Sequence, residues 1–229
     1  MNKTVKVIVE ILLLLAILGL IYLIVNSIMA PVNFNKEKAA REQVAIQRLK
    51  DIRTLEVAFK GTTGRFTSSI DSLADFYNKG KMEVVMQIGS QDDSLAVANT
   101  ARIKKQNKKI TTDELMALYR SGESLVFSTK TEIPVKDTLF NNRPDFCVDS
   151  LAFIPFSGKQ KVQMESIVKT VSGVPVPLFE ARMPYRALLK GLDNQLRINL
   201  DADRRAQNKY EGLQVGSVTA PNNNAGNWE

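Results

Sequence analysis

Histidine is absent from this chain of 229 residues, and cysteine occurs once, as Cys147. The first absence removes the side chain that most often serves as general base, metal ligand and activator of a nucleophile. The second leaves no intrachain disulfide, no CxxC redox pair and no set of thiolates for zinc. Cys147 lies between Phe146 and Val148 in a strand-like run, so it is expected as a small core residue. No glycine-rich phosphate loop follows a strand, and no Gly-x-Ser-x-Gly elbow occurs. Ser166-Ile167-Val168-Lys169 matches S-x-x-K by letter but sits in a strand-like run without the companion motifs. Asp92 with Asp93, and Asp201 with Asp203 and Glu211, fall in polar, turn-like contexts and are expected as solvated carboxylates. No internal repeat is present. The expectation is a protein with no catalytic residues, no bound metal and no cofactor.

What the chain does have is an almost unbroken apolar run over residues 7–25, with one carboxylate, Glu10, near its start. A helix needs about 20 apolar residues to cross the hydrocarbon core, and this run supplies that length. A cleavable signal peptide would carry a shorter apolar core followed by small residues at the −3 and −1 positions. Ala30 suits −1, but Ile28 is too bulky for −3 and Pro31 blocks the position after the cut. Residues 1–30 are therefore expected as an uncleaved transmembrane anchor. Lys3 and Lys6 precede the run while Lys36, Lys38 and Arg41 follow it, so flanking cations do not fix the orientation. Long domains translocate largely regardless of charge, which places the N-terminus inside and residues 31–229 on the far face. Glu10 has two readings. It lies one turn after Lys6, close enough to the interface to snorkel and pair with that lysine. Alternatively it is an assembly device, a carboxylate that seeks a cation on a neighbouring chain.

Pro31 either kinks one long helix or marks the exit from the membrane. Past it, residues 36–59 contain no glycine or proline. Ala45, Leu49, Ile52, Leu55 and Phe59 recur at helical steps along one face. Arg48 and Glu56 intrude near that face and narrow it. Asn35 is the expected N-cap, and Gly61 and Gly64 are stop signals. Residues 31–61 thus read as an amphipathic spine that extends the membrane helix and lies on a globular domain.

Residues 62–229 read as that domain. A short helix is expected over 70–77 and a strand over 82–88. The polar, lysine-rich stretch 89–110 looks least structured. Thr111 with Glu114 forms a capping box for a helix to Arg120. Short β-like runs follow at 125–127, 133–140, 148–154, 161–167, 174–179, 196–200 and 213–218. Pro184 opens a short helix through Leu192. Helices first and mainly antiparallel strands after them make an α+β domain.

Several segments, taken in order, resemble the type IV pilin and type II secretion pseudopilin superfamily. Glu10-Ile11-Leu12 and Ala16-Ile17-Leu18-Gly19-Leu20 are similar to that family's I-E-L and A-I-I-G-I pattern. Asn35-Lys36-Glu37-Lys38-Ala39 and the helix to Phe59 resemble the solvent half of the pilin spine. Gly64-Arg65-Phe66-Thr67, then Ile70-Asp71 and Leu73, is similar to the turn after that spine, and Asn224-Ala225-Gly226-Asn227-Trp228 to the close of major pseudopilins. The resemblance implies a pilin-like fold and a non-enzymatic structural subunit of a secretion- or pilus-related envelope assembly. It also implies a bacterial inner membrane location with a periplasmic C-terminal domain. The chain departs from the family at three places. Val5 stands where the prepilin peptidase needs glycine, Thr67 replaces a proline, and Asn222, Asn223 and Asn224 stand where a calcium loop has carboxylates. Neutral amides alone bind calcium weakly, so no metal is expected there.

The expected partners are membrane lipid, other envelope or secretion-assembly proteins and further copies of the chain. With Glu10 and Lys6 as assembly residues, the alternative is a static membrane-tethered scaffold that does not polymerise. A third reading is a nucleic-acid-binding receptor module, since the net charge is +7. Arg102, Lys104, Lys105, Lys108 and Lys109 are its candidate polyanion contacts, on an expected flexible loop. No aromatic residue lies between Val97 and Leu118 to stack a base, so a solvated loop is favoured over nucleic acid.

Overall fold

One helix, α1 (Lys3–Thr63), takes up 61 residues and stays helical through Pro31. This computed structural model describes residues 3–229, with the side chains of residues 7, 8 and 10–229. The apolar half of α1 is long and apolar enough to cross a membrane, and none of its most apolar stretch is buried within the chain. Leu12, Leu13, Leu14 and Leu15, at successive steps of about 100° around the axis, are all exposed. A helix that is apolar on every side and exposed within its own chain has the character of a membrane span. At about 1.5 Å per residue, the run over 7–25 spans about 28 Å, close to the hydrocarbon thickness of about 30 Å.

The described residues divide into two compact units. The first comprises the chain through Val57, the segment Arg65–Ile70 and Cys147–Glu229. Here α1 buries most of the expected stripe: Ala45, Leu49, Ile52 and Leu55 are fully covered, Phe59 is only half-buried, and Phe34 extends the stripe toward the N-terminus. Past the apolar half, then, α1 is packed rather than bare. A three-stranded antiparallel sheet supplies much of the remaining core, in the order β3 (Gln163–Val171), β4 (Val174–Pro184) and β5 (Gly212–Gly216). Central β4 contributes Leu178, Phe179, Ala181 and Met183, and β5 adds Leu213 and Val215. Ser172 and Gly173, both at positive φ, join β3 to β4 in a two-residue turn whose twist suits a hairpin. Gly216 also has positive φ, and a Cβ there would run into the Phe179 carbonyl, so the edge of β5 tolerates only glycine.

Three segments of this unit depart from expectation, two expected as strands and one as a longer helix. Residues 148–154 hold a 3-10 helix, Val148–Ala152, rather than a strand. Pro184 ends β4 and caps a one-turn helix, α6 (Tyr185–Leu188), shorter than expected. Residues 196–200 lie inside the helix α7 (Asn194–Ala206), because the Asp193 side chain caps it and Arg197 pairs with Asp201 one turn on. Cys147 is exposed rather than buried, since the turn before the 3-10 helix directs Val148 and Leu151 inward instead.

The second unit comprises Ala58–Gly64 and Asp71–Phe146. The helix α2 (Ile70–Lys79) buries Leu73 and Tyr77, and Phe59 meets Phe76 edge-on at 5.4 Å. Strands β1 (Lys81–Ile88) and β2 (Phe127–Pro134) form a separate antiparallel ribbon, tied across its face by Lys81–Glu132 and Lys130–Glu83. The expected strand over 133–140 stops at Pro134, and a helical turn, α5 (Val135–Thr138), follows. A proline lacks the amide a ladder needs but suits the start of a turn. The stretch expected to be unstructured contains a 13-residue helix, α3 (Ser94–Gln106). Asp93 caps it, accepting from the Leu95 and Ala96 amides, while Ala96 and Thr100 turn inward. The capping box of Thr111 and Glu114 forms as expected and opens α4 (Thr112–Arg120). Leu115, Leu125 and Phe127 make the small core of this unit. The fold is α+β: a long apolar N-terminal helix followed by short helices and two small antiparallel sheets.

Candidate functional site

Charged side chains flank the buried stripe of α1, and in the first unit they fasten the domain to the helix. Arg41 donates to the carbonyls of Leu188, at 3.2 Å, and Lys190, at 2.8 Å. Its guanidinium also lies over the Phe156 ring. Glu42 accepts from the Tyr185 hydroxyl at 2.5 Å. Burial first, and then the Glu42 carboxylate, push the pKa of that hydroxyl up, so it remains a donor. Two turns past Arg41, Arg48 donates to the carbonyls of Ser150, at 2.9 Å, and Phe153, at 2.6 Å. The Ser150 carbonyl, inside the 3-10 helix, also accepts from the Phe153 amide at 3.4 Å, and the Phe153 carbonyl follows the helix end. Burial lowers the pKa of Arg48. Next along the helix, Arg53 reaches the C-terminal residues, donating to the Asn224 carbonyl at 3.3 Å and to Glu229 at 2.7 Å. That bond holds the Glu229 carboxyl below its ordinary range, with help from the Gly226 amide.

Glu56 completes the series and differs from it. Its side chain is fully buried. One oxygen accepts from the Thr67 amide at 3.1 Å, and the other has no partner among the described residues. Burial pushes its carboxyl up to about 8 against the opposing pull of the Thr67 amide, so the group is protonated at neutral pH. Beside it in the chain, Phe66 packs against Phe179 with ring centres 4.8 Å apart. The Gly64-Arg65-Phe66-Thr67 turn is therefore pinned through one amide and one ring. Gly64 supplies the positive φ that the helix end requires.

The chemistry of this arrangement is attachment: apart from one Glu56 oxygen, these side chains hold backbone or a neighbouring side chain in place. Of the residues singled out from the sequence, Glu10 lies exposed in the apolar half of α1. Its expected pairing with Lys6 falls on a side chain outside the described residues. The basic cluster is no flexible loop. Arg102, Lys104 and Lys105 project from α3, Lys108 and Lys109 from the turn after it, and all five are exposed. Lys104 and Lys105 occupy the last turn of α3, where a cation offsets the negative end of the helix by about 0.3–1 kcal/mol. Asp201 lies on α7, well buried, rather than in a solvated turn. Asn222 closes its own loop onto the Ala225 carbonyl.

From the sequence, Arg48 and Glu56 read only as intruders on a stripe, Arg41 only as a cation flanking the apolar run, and Glu42 and Arg53 carry no reading. A signal was present. Arg41 and Arg48 are seven residues apart, two helical turns, so both lie along the same flank of the stripe. No family model, no curated protein and no solved structure matches this chain.

Proposed function

We propose that this chain is a non-enzymatic, single-pass membrane protein, a pilin-like structural subunit of a secretion- or pilus-related envelope assembly. The observation that carries this reading is α1 itself. One uninterrupted helix passes from a half with no packing partner in its own chain to a half that bears a domain on a buried stripe. The bare half offers its surface to lipid and to other membrane helices, and Glu10 is the one charge it offers them over residues 7–25. The domain stands on the periplasmic side of the inner membrane, rigidly attached through Arg41, Arg48 and Arg53, and presents a surface to partners.

The test is crosslinking of the full chain in its native membrane, with and without Glu10→Ala. Assembly through the carboxylate predicts that the crosslinked species shrink or vanish in the variant. Unchanged complex size and crosslinking would remove the assembly role of Glu10.

A second reading is favoured by one residue. Val5 stands where pilin processing needs a glycine, and an uncut N-terminus suits a static scaffold better than a polymer. Mass analysis of the mature protein separates the two: an intact Met1 selects the scaffold, and a cut before Lys6 selects the polymerising subunit.

A further inference from the structure

The polar contacts along α1 also order the first unit along the helix axis. Arg41 meets the carbonyls of Leu188 and Lys190, and Glu42 meets Tyr185. Farther on, Arg48 meets Ser150 and Phe153, and Arg53 meets Asn224. The end of the unit nearest the apolar half therefore holds residues 188–190 and the loop over residues 155–160. In that loop the Phe156 ring centre lies 5.0 Å from the Arg41 guanidinium. Little bare helix separates this end from the apolar half. Exposed apolar side chains continue through Ile28, Met29 and Val32, and burial begins at Phe34. Arg41 stands nine residues past Val32, about 14 Å along the axis, and helical side chains lean back toward the N-terminus. The headgroup layer takes up about 5–8 Å of that distance, and the field of anionic lipid extends about 8 Å beyond it.

The loop is built to hold an apolar ring outward. Ser157 is fully buried. Its hydroxyl donates to the Ile154 carbonyl at 2.7 Å and accepts from the Gln160 amide at 3.0 Å. The Ile154 amide closes the loop by donating to the Gln160 carbonyl at 2.8 Å. Beside that fixed serine, Phe156 is 52% exposed and sits at a φ of 61°. A bulky side chain at positive φ is strained, and strain of this kind clusters at sites of function. Lys159 also has a positive φ, 72°, and is exposed. Lys190 is exposed and reaches the same loop, its ammonium donating to the Ser157 carbonyl at 3.4 Å. Lys36, Lys38 and Arg41 add the cations of α1. Of the carboxylates on these segments, Glu42 is held by Tyr185 and Asp193 caps α7, which leaves Glu37.

An exposed aromatic ring among cations, on the side of a domain that faces its own apolar helix, suits a lipid interface. The ring enters the boundary between headgroups and acyl chains, and the lysines extend to the phosphates. We propose that the first unit rests on the bilayer that α1 crosses, with Phe156 inserted at the interface and Lys159 and Lys190 on the phosphates of anionic lipid. This contact depends on the reading of α1 as a membrane span and adds a second, peripheral hold on the same membrane. Tethering favours it, since α1 keeps the loop at a high effective concentration over the surface.

The experiment reconstitutes the full chain into vesicles of phosphatidylcholine and phosphatidylglycerol, at a lipid excess that keeps copies apart. Cys147→Ser removes the native thiol, and Gln160→Cys or Val168→Cys supplies one site for a fluorophore. Gln160 is exposed in the loop. Val168 is exposed on β3 opposite Pro177, beyond the Phe179 that packs on Phe66 after the far end of α1. Lipid spin-labelled at the headgroup is expected to quench the dye at 160 and to spare the dye at 168. Lys159→Gln combined with Lys190→Gln should lower the ratio of docked to free loop at least about tenfold, as should vesicles of phosphatidylcholine alone. Phe156→Ser should lower that ratio too, with the circular dichroism spectrum unchanged. Equal quenching at 160 and 168, or quenching at 160 that survives all three changes, would overturn the proposal. Flotation of the vesicles separates its failure from that of the span. A chain that floats without quenching at 160 keeps the span and loses the docking, and a chain that fails to float loses both.

Discussion

The two halves of α1 are one continuous helix with opposite relations to the rest of the protein. In the half before Pro31, leucines all around the axis are exposed and touch nothing in their own chain. In the half after it, up to Val57, leucines on a single face are completely buried and charges on the flanks hold a domain. Identical residues thus serve two solvents. The first half has the length and composition of a membrane span, for which apolar composition is sufficient. The second gains it from complementary packing, for which position is everything.

The sharpest way to break that contrast is one substitution made twice. Leu49→Ala removes a fully buried side chain and should cost about 2–5 kcal/mol, read as a lowered midpoint of thermal unfolding of the detergent-solubilised protein. Leu15→Ala makes the same chemical change on the lipid-facing half and should leave that midpoint nearly unchanged. Equal shifts in the two variants would show that the membrane half packs against protein after all.

Next in size is the buried carboxyl at the end of the second half. In the folded chain Glu56 has its pKa raised to about 8, whereas the unfolded chain would titrate near the ordinary glutamate value of about 4.3. The unfolded state therefore loses its proton first as pH rises. Stability from this group is unpenalised below the unfolded pKa, falls progressively between the two values, and stays low above about 8. Glu56→Gln mimics the protonated form and should abolish that fall. The gain at pH 8 should be up to about 4–5 kcal/mol, while at pH 4 the two proteins should match. Thermal unfolding as a function of pH checks both arms, and parallel pH profiles would refute the buried, protonated Glu56.

The smallest of the three effects concerns a flank charge. Arg48→Ala removes a donor from two backbone carbonyls at the 3-10 helix, those of Ser150 and Phe153, and should destabilise the first unit by roughly 1–3 kcal/mol. Hydrogen exchange should rise at residues 150–153 before it rises along β4. A uniform rise would mean that Arg48 supports the whole unit rather than that one junction.

How much was legible in advance depended on the range of the force involved. The apolar run, the buried stripe of Ala45, Leu49, Ile52 and Leu55, and the Thr111 capping box are local patterns, and all three appear where the sequence placed them. The errors came where a local signal was ambiguous. The short apolar segment 196–200 suits a strand or a helix equally until Asp193 and the Arg197–Asp201 pair are weighed. The lysine-rich stretch looked unstructured because its cap, Asp93, was taken for a solvated acid. Cys147 was misplaced because a bend after it, not a strand through it, sets which neighbours point inward.

By itself, the sequence determined that this chain carries a helix long and apolar enough to cross a membrane, that the helix continues beyond the apolar run, and which face of that continuation is covered. Composition and periodicity set these properties, since transfer of apolar surface depends only on what each residue is and how often it recurs. Only the tertiary structure decided which charges along the spine would be spent on holding the domain. Arg48 found two carbonyls more than 100 positions away, and Glu56 lost its water to a turn that folds back over it. Nothing in the spacing of those residues names such partners, because hydrogen bonds between distant segments are fixed by where the chain returns in space.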